Sequence, residues 1–327
     1  MARISLYPRP TFVGFMAQRA MHAFHGSPTV TMLERNRQGG FTLVELIMVI
    51  ALAGIVVVLV GTALNRPMKA FMDQRSRAEL TDQAAIVLDR ITRDIRLAVP
   101  NSVRVPDSRT LDLIPIVAAG RYRANVTDAG TTGRYDPPYC EAGEICRIPM
   151  LGPVDTEGND TPHYLIIYNT GSAGNDAWQA NTAPVRASIS PKVFTWQVGG
   201  WSENGTLVGN GVLTGDFSEE AAFRFASASP QHRFYLASEA VRYTCSGTDN
   251  SVGQLVRRSY PRIRSNLSEN IDDFTQGQLT PHVMTQCSFT YDPGTLTRNG
   301  LVSISLQLTQ NDESVTLYRQ VQVSNAP

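Results

Sequence analysis

The chain has no excess of charge of either sign: 29 Lys and Arg stand against 29 Asp and Glu. Residues 1–40 hold five basic residues (Arg3, Arg9, Arg19, Arg35, Arg37) and one acid, Glu34, so the remainder carries 24 basic and 28 acidic, a balance of −4. That excludes the general basic footprint of a nucleic-acid binder, and no nucleic-acid partner is expected. Catalytic signatures are missing too: there is no P-loop, no HExxH and no GxSxG. Gly209-Asn210-Gly211 with Gly215 misses the dinucleotide fingerprint by one residue and reads as a glycine loop. His163, His232 and His282 are scattered, each read as a packed or surface residue and not as a base. Asp155, Glu157, Asn159 and Asp160 alternate oxygen ligands as a calcium loop does, but the missing twelfth-position Glu favours a polar turn. No catalytic residue, cofactor or metal is expected, and the chain is not read as an enzyme. No internal repeat is visible.

What the chain does have is one long apolar run. Phe41 to Leu64, FTLVELIMVIALAGIVVVLVGTAL, is 24 residues interrupted by a single acid, Glu45. Its length is enough to span a bilayer as a helix. A carboxylate inside such a run is costly and asks for a partner. Ala51-Leu52-Ala53 before Gly54 fits a signal-peptide cleavage site, but Ile55 to Val60 stays apolar beyond it, too long for an ordinary signal.

Immediately before the run stand Arg35, Arg37, Gly39 and Gly40. A basic leader ending in Gly, then Phe first and Glu fifth of an apolar helix, resembles the N-terminus of type IV prepilins and pseudopilins. The resemblance implies that a prepilin peptidase cuts between Gly40 and Phe41, that Phe41 is N-methylated, and that Glu45 is required for assembly with other major and minor pilins. A charged amine on Phe41 and a neighbour's Glu45, each expensive alone, become tolerable when paired. Met32 opens MLERNRQGG, a nine-residue leader of the expected kind, so residues 1–31 are read as an upstream extension.

The expected layout is a leader over 1–40, a membrane and assembly helix over 41–64, an amphipathic continuation over 65–99 and a β-rich domain over 100–327. Leu80, Ala84, Val87, Leu88, Ile91, Ile95 and Ala98 recur at three and four, one apolar stripe. A single helix from Phe41 to Val99 would be about 88 Å long, with Gly54, Gly61 and Pro67 as places to bend or melt. Pro100 ends it. The class is α+β: a long N-terminal helix on a large antiparallel β-rich domain.

Strands are expected at 103–105, 110–117, 163–168, 193–198, 222–225, 233–236, 241–245, 254–258, 286–291, 301–308 and 314–323, with a Gly-, Asp- and Pro-rich loop reaching about residue 161. LVSISLQL alternates with period two, so one face is buried. Trp178, Trp196 and Trp201 offer an adhesive surface, with burial as the default for aromatics.

Lys and Arg counts favour the C-terminal side of the span in the cytoplasm (Arg66, Lys69, Arg75 and Arg77 against Arg35 and Arg37). The prepilin-like signal and the cysteines argue the reverse: a single inner-membrane pass with a periplasmic C-terminal domain. Only four cysteines are present, with no CxxC or His-Cys spacing for zinc. An even number in an exported domain argues disulfides. Of three connectivities, the favoured one joins Cys140 to Cys146 and Cys245 to Cys287, against an alternative of free or metal-binding thiols.

The run SASPQHRFYLASEAVRYTC, then QLVRRSY, CSFTYDPGTLTRNGLVSISLQL and LYRQVQVSNAP, resembles the MshO family of MSHA-pilus biogenesis proteins. It is distantly similar to J-type minor pseudopilins of type II secretion. That implies a low-abundance subunit that initiates or caps a filament. A secretion pseudopilin and a tip adhesin using residues 170–215 are the alternatives.

Overall fold

The computed structural model describes residues 40–125, 134–152, 161–179, 186–203, 205–246, 253–267, 273–280, 284–295 and 298–327. Residues 1–39 of the leader, the Asp155–Asp160 turn and His282 lie outside them. The chain divides into two units, Met1–Thr62 and Ala63–Pro327, each described by itself.

One helix, α1, runs Leu43–Arg96, 54 residues with Pro67 inside it. Helix is assigned through Gly54, Gly61 and Pro67, where bending or melting was expected. It stops three residues short of Val99 because the chain there is already extended. Ala98 bridges Pro115, and the Val99 N–H donates to the Ile114 carbonyl at 2.8 Å. Arg93 and Arg96 in the last turn suit the negative end of the helix dipole.

The second unit is β-rich. Its strands, in chain order, are β1 (Arg104–Asp107), β2 (Thr110–Leu113), β3 (Ala118–Tyr122), β4 (Tyr139–Cys140), β5 (Ile145–Leu151), β6 (His163–Ile166), β7 (Arg186–Ala187), β8 (Ile189–Glu203) and β9 (Thr206–Asp216). They continue with β10 (Phe223–Phe225), β11 (Arg233–Ala237), β12 (Ala240–Ser246), β13 (Gln254–Tyr260), β14 (Thr275–Gln278), β15 (Met284–Asp292), β16 (Gly300–Gln310) and β17 (Glu313–Val323). Nearly every pairing is antiparallel; β10 with β7 is parallel. The class is α+β, a long N-terminal helix followed by a large antiparallel β-rich domain.

Three bodies of core follow from the pairing. The stripe Leu80, Ala84, Val87, Leu88, Ile91 and Ile95 is buried against the meander β15-β16-β17 and the sheet β1-β2-β12-β13-β14. In β16 the residues at even positions 302–308 are buried and those at odd positions half-buried, the expected alternation. Each large stripe residue contributes on the order of 1.5–3 kcal/mol by leaving water. A second cluster fills a closed six-stranded barrel, β11-β3-β5-β9-β8-β6, around Trp196, Phe194, Phe217 and Phe234. A third, with Val99, Ile114, Tyr164 and Tyr260, completes the core.

The barrel corrects two sequence expectations. The stretch to residue 161 is not one loop, because β3, β4 and β5 lie in it. In β5 the more open face carries Ile145, Pro149 and Leu151 as well as Arg147, so the sequence shows no period-two signal, and Pro149 argues against a strand. Likewise Gly209, Gly211 and Gly215 do not form a loop but stud one face of β9. A Cβ on Gly215 would sit 2.8 Å from the Phe194 ring, and one on Gly209 would sit 2.5 Å from the Met150 carbonyl oxygen. These glycines are there because the strands pack too closely for side chains.

Polar contacts fix the helix and sheets in register. Asp112, fully buried, receives Arg242 through Nε at 2.7 Å and Nη2 at 2.9 Å, and Arg104 Nε at 3.0 Å. The Arg104 guanidinium also lies over the Trp178 ring, 3.8 Å from its centroid. Arg77 pairs with Glu313 and Arg319 with Asp89, joining α1 to β17. Cys140 is bonded to Cys146 and Cys245 to Cys287, with Cα separations of 5.1 and 5.9 Å. The second bond ties the five-stranded sheet to the meander.

Candidate functional site: the N-terminal junction and the apolar helix

The first unit carries the candidate site. Gly40 precedes the helix, with no described residue within 4 Å of where a Cβ would stand. Phe41 is 79% exposed. Thr42 then starts the helix: its carbonyl accepts from the Leu46 N–H at 3.2 Å, and its hydroxyl accepts from the Glu45 N–H at 3.3 Å.

Thr42 is therefore an N-cap and Glu45 the residue three places on, the Thr-x-x-Glu order of a capping box. Thr42 and Glu45 are spaced in the sequence as such a pair. The cap holds Glu45 in the first turn, where the positive end of the helix dipole favours a carboxylate. This is the least costly place for an acid in an apolar run. It also puts the acid four residues from Phe41, the residue whose amine would be freed by a cut after Gly40.

Beyond Glu45 the helix presents apolar side chains on every side. Leu46, Ile47, Met48, Val49, Ile50, Leu52 and the run Ile55–Val60 are all exposed. A helix apolar all round belongs in lipid or among other helices. Thr62 resolves its own polar cost by donating its hydroxyl to the Leu59 carbonyl at 3.0 Å. Among the described residues this is the one helix long and apolar enough to cross a membrane.

Residues 35–61 match the prokaryotic N-terminal methylation motif. The match covers the basic residues, the Gly-Gly, Phe41, Glu45 and most of the apolar run. It marks a type IV pilin-like or pseudopilin N-terminus, the kind of signal a prepilin peptidase processes and through which pilins assemble. No curated protein and no solved structure matches the chain.

The other residues singled out in the sequence do not converge on this motif. Trp178 and Trp196 are buried, the first donating Nε1–H to the Ser102 carbonyl at 2.8 Å, the second packed on His163 in the barrel. They are core residues and form no contact surface; the Trp201 side chain lies outside the described residues. Burial holds the His163 imidazole below its ordinary pKa. His232 Nε2 lies 3.0 Å from Asp136, beside Tyr122, which also donates to that carboxylate.

Proposed function

We propose that the chain is a minor pilin of an MSHA-like type IV filament, cut between Gly40 and Phe41, methylated on Phe41, and used to initiate or cap assembly. In this reading it is a structural subunit and not a catalyst. The single observation that carries it is the methylation motif seated on a capped helix start, with Glu45 held next to the junction. The β-rich unit of residues 63–327 supports a low-abundance role, since a subunit of that bulk tiles poorly along a thin fibre. The resemblance of the C-terminal segments to the MshO family points to the MSHA system. Two disulfides suit an oxidising compartment, which favours a periplasmic domain on an inner-membrane anchor.

The test is the mature N-terminus. Intact-mass and N-terminal analysis of the protein from its own host should give a chain starting at methylated Phe41 and present in sheared filaments. A start elsewhere, or an uncut chain, overturns the reading. Loss of surface filaments in a deletion strain, with protein secretion intact, separates pilus from secretion pseudopilus.

A further inference from the structure

Among the described residues β17 ends its sheet with no strand on its far side, and its geometry sets out which of its groups face outward. It closes on β16 through a two-residue turn, Asn311-Asp312, both at positive φ (52° and 64°). Two positive φ values define a type I′ turn, whose flanking residues, here Gln310 and Glu313, exchange hydrogen bonds. Hydrogen-bonded pairs alternate from there. Residues 313, 315, 317, 319, 321 and 323 therefore spend their backbone groups on β16. The N–H and C=O groups of Ser314, Thr316, Tyr318, Gln320 and Gln322 point away from the sheet.

Natural edges are usually protected by prolines, bulges, outward charges or short length. None of these is present. The strand is 11 residues long, ESVTLYRQVQV, with no proline, glycine or register shift. Its two charges, Glu313 and Arg319, lie on the helix side of the sheet, paired with Arg77 and Asp89. The five residues with outward backbone groups are all uncharged and exposed, and Tyr318 is 64% exposed. Nothing on this edge repels another strand.

The other edges among the described residues do not resemble it. The five-stranded sheet ends in β1, four residues with a proline, and in β14, four residues. The barrel has no edge, and β4 and β7 have two residues each. The far side of β15 is occupied by the bonds Phe289 N–H to Ser108 O (2.8 Å) and Thr285 N–H to Gly253 O (3.2 Å). Subunits stacked with parallel helices meet head to tail, through two different surfaces. A second copy offers no edge to match β17 other than β17 itself.

We infer that β17 is a docking edge that takes an extended strand from a different subunit of the same filament, one bearing its own N-terminal methylation motif. Recognition is by strand addition: main-chain bonds to residues 314–322, with Tyr318 as the apolar anchor. The inference rests on the pilin reading above and names its partner and surface.

The experiment places a photo-crosslinking amino acid at Tyr318 in the full chain in its own host. The expected product is an adduct with a second protein carrying a methylation motif. Thr316→Pro removes an outward N–H and leaves the ladder to β16 intact. It should lower the adduct by about an order of magnitude, one hydrogen bond's worth of binding, while thermal unfolding and the Phe41 N-terminus are unchanged. Thr316→Lys, which cannot strain the backbone, should do the same and decides the matter if the proline variant is unstable. An adduct with a second copy or with a protein lacking the motif, an adduct surviving Thr316→Lys, or no adduct overturns the inference. If the unaltered chain is found in filaments without such an adduct, only the edge assignment fails. If it is absent from filaments, the pilin reading fails with it.

Discussion

The Tyr243 hydroxyl donates to Asp94 Oδ2 at 2.6 Å, joining the middle of β12 to the last turns of α1. Arg257 Nε reaches the same oxygen at 3.0 Å from β13, so one carboxylate on the helix gathers two strands. Burial and the neighbouring Asp94 push the Tyr243 phenol well above its ordinary pKa. The folded state therefore keeps a proton that the unfolded chain releases near pH 10. The stability from this group is complete below about pH 10 and is lost as pH rises toward the folded value. Denaturant midpoints measured from pH 8 to 11 should fall at the alkaline end. Tyr243→Phe should lessen that fall, the rest coming from other buried phenols such as Tyr122, and cost roughly 1–3 kcal/mol at neutral pH, since Asp94 loses a donor.

Asp112 is the one fully buried acid among the described residues. Asp112→Ala takes from Arg104 and Arg242 the buried carboxylate that both are bonded to, at a cost of roughly 3–5 kcal/mol. Equilibrium unfolding of the domain should register it. Replacing a surface pair such as Arg298–Asp292, in which both side chains are more than half exposed, should shift stability by less than about 1 kcal/mol.

Gly215→Ala should destabilise the barrel by about 1–3 kcal/mol, because the new methyl meets the Phe194 and Phe217 rings. Gly277→Ala, with nothing within 4 Å, serves as the control and should be nearly neutral. Thermal unfolding of the two variants side by side checks the contrast.

Glu45→Val removes the acid from the apolar run and spares the Gly40–Phe41 junction. The expected protein is membrane-bound, cut and stable, yet absent from filaments, because a neighbour's amine loses its counter-charge in a low-dielectric site. Breaking such a pair costs about 3–5 kcal/mol. N-terminal analysis together with sheared-filament blots reads both halves of the outcome. Normal assembly of the variant would refute the pairing role.

The helix and the C-terminal meander were legible in the sequence because each buries one face against one neighbour. Leu80 to Ile95 shows the period of a helix, and LVSISLQL that of a strand. Half of the barrel was legible, since β6, β8 and β11 lie on expected strands. The strands β3, β5 and β9 were not, because β5 carries Pro149 in its middle and apolar Ile145 and Leu151 on its more open face, and β9 replaces side chains with glycine where strands crowd. Nor was β14, whose four residues TQGQ are all exposed and become a strand only by pairing with β13. At the candidate site the Gly40, Phe41 and Glu45 pattern could be read directly, being local. Thr42 was equally local and was missed as a cap. The buried charge clusters join residues as far apart as Asp94 and Arg257, and no local pattern announces such a meeting.

The apolar stripe of α1 is made early and covered late. Its flanking ion pairs join residues 236 and 230 positions apart, Arg77 with Glu313 and Asp89 with Arg319. In a chain emerging from its N-terminus, the part of the Leu80, Leu88 and Ile91 face that the meander covers stays open until the final two strands are complete, whatever β1, β2 and β12 already cover. Contacts of such long range form slowly and leave apolar surface open to wrong partners in the meantime. Truncation anywhere in β16 or β17 would therefore do more than shorten the domain. It would strip the roof from the helix at the far end of the chain.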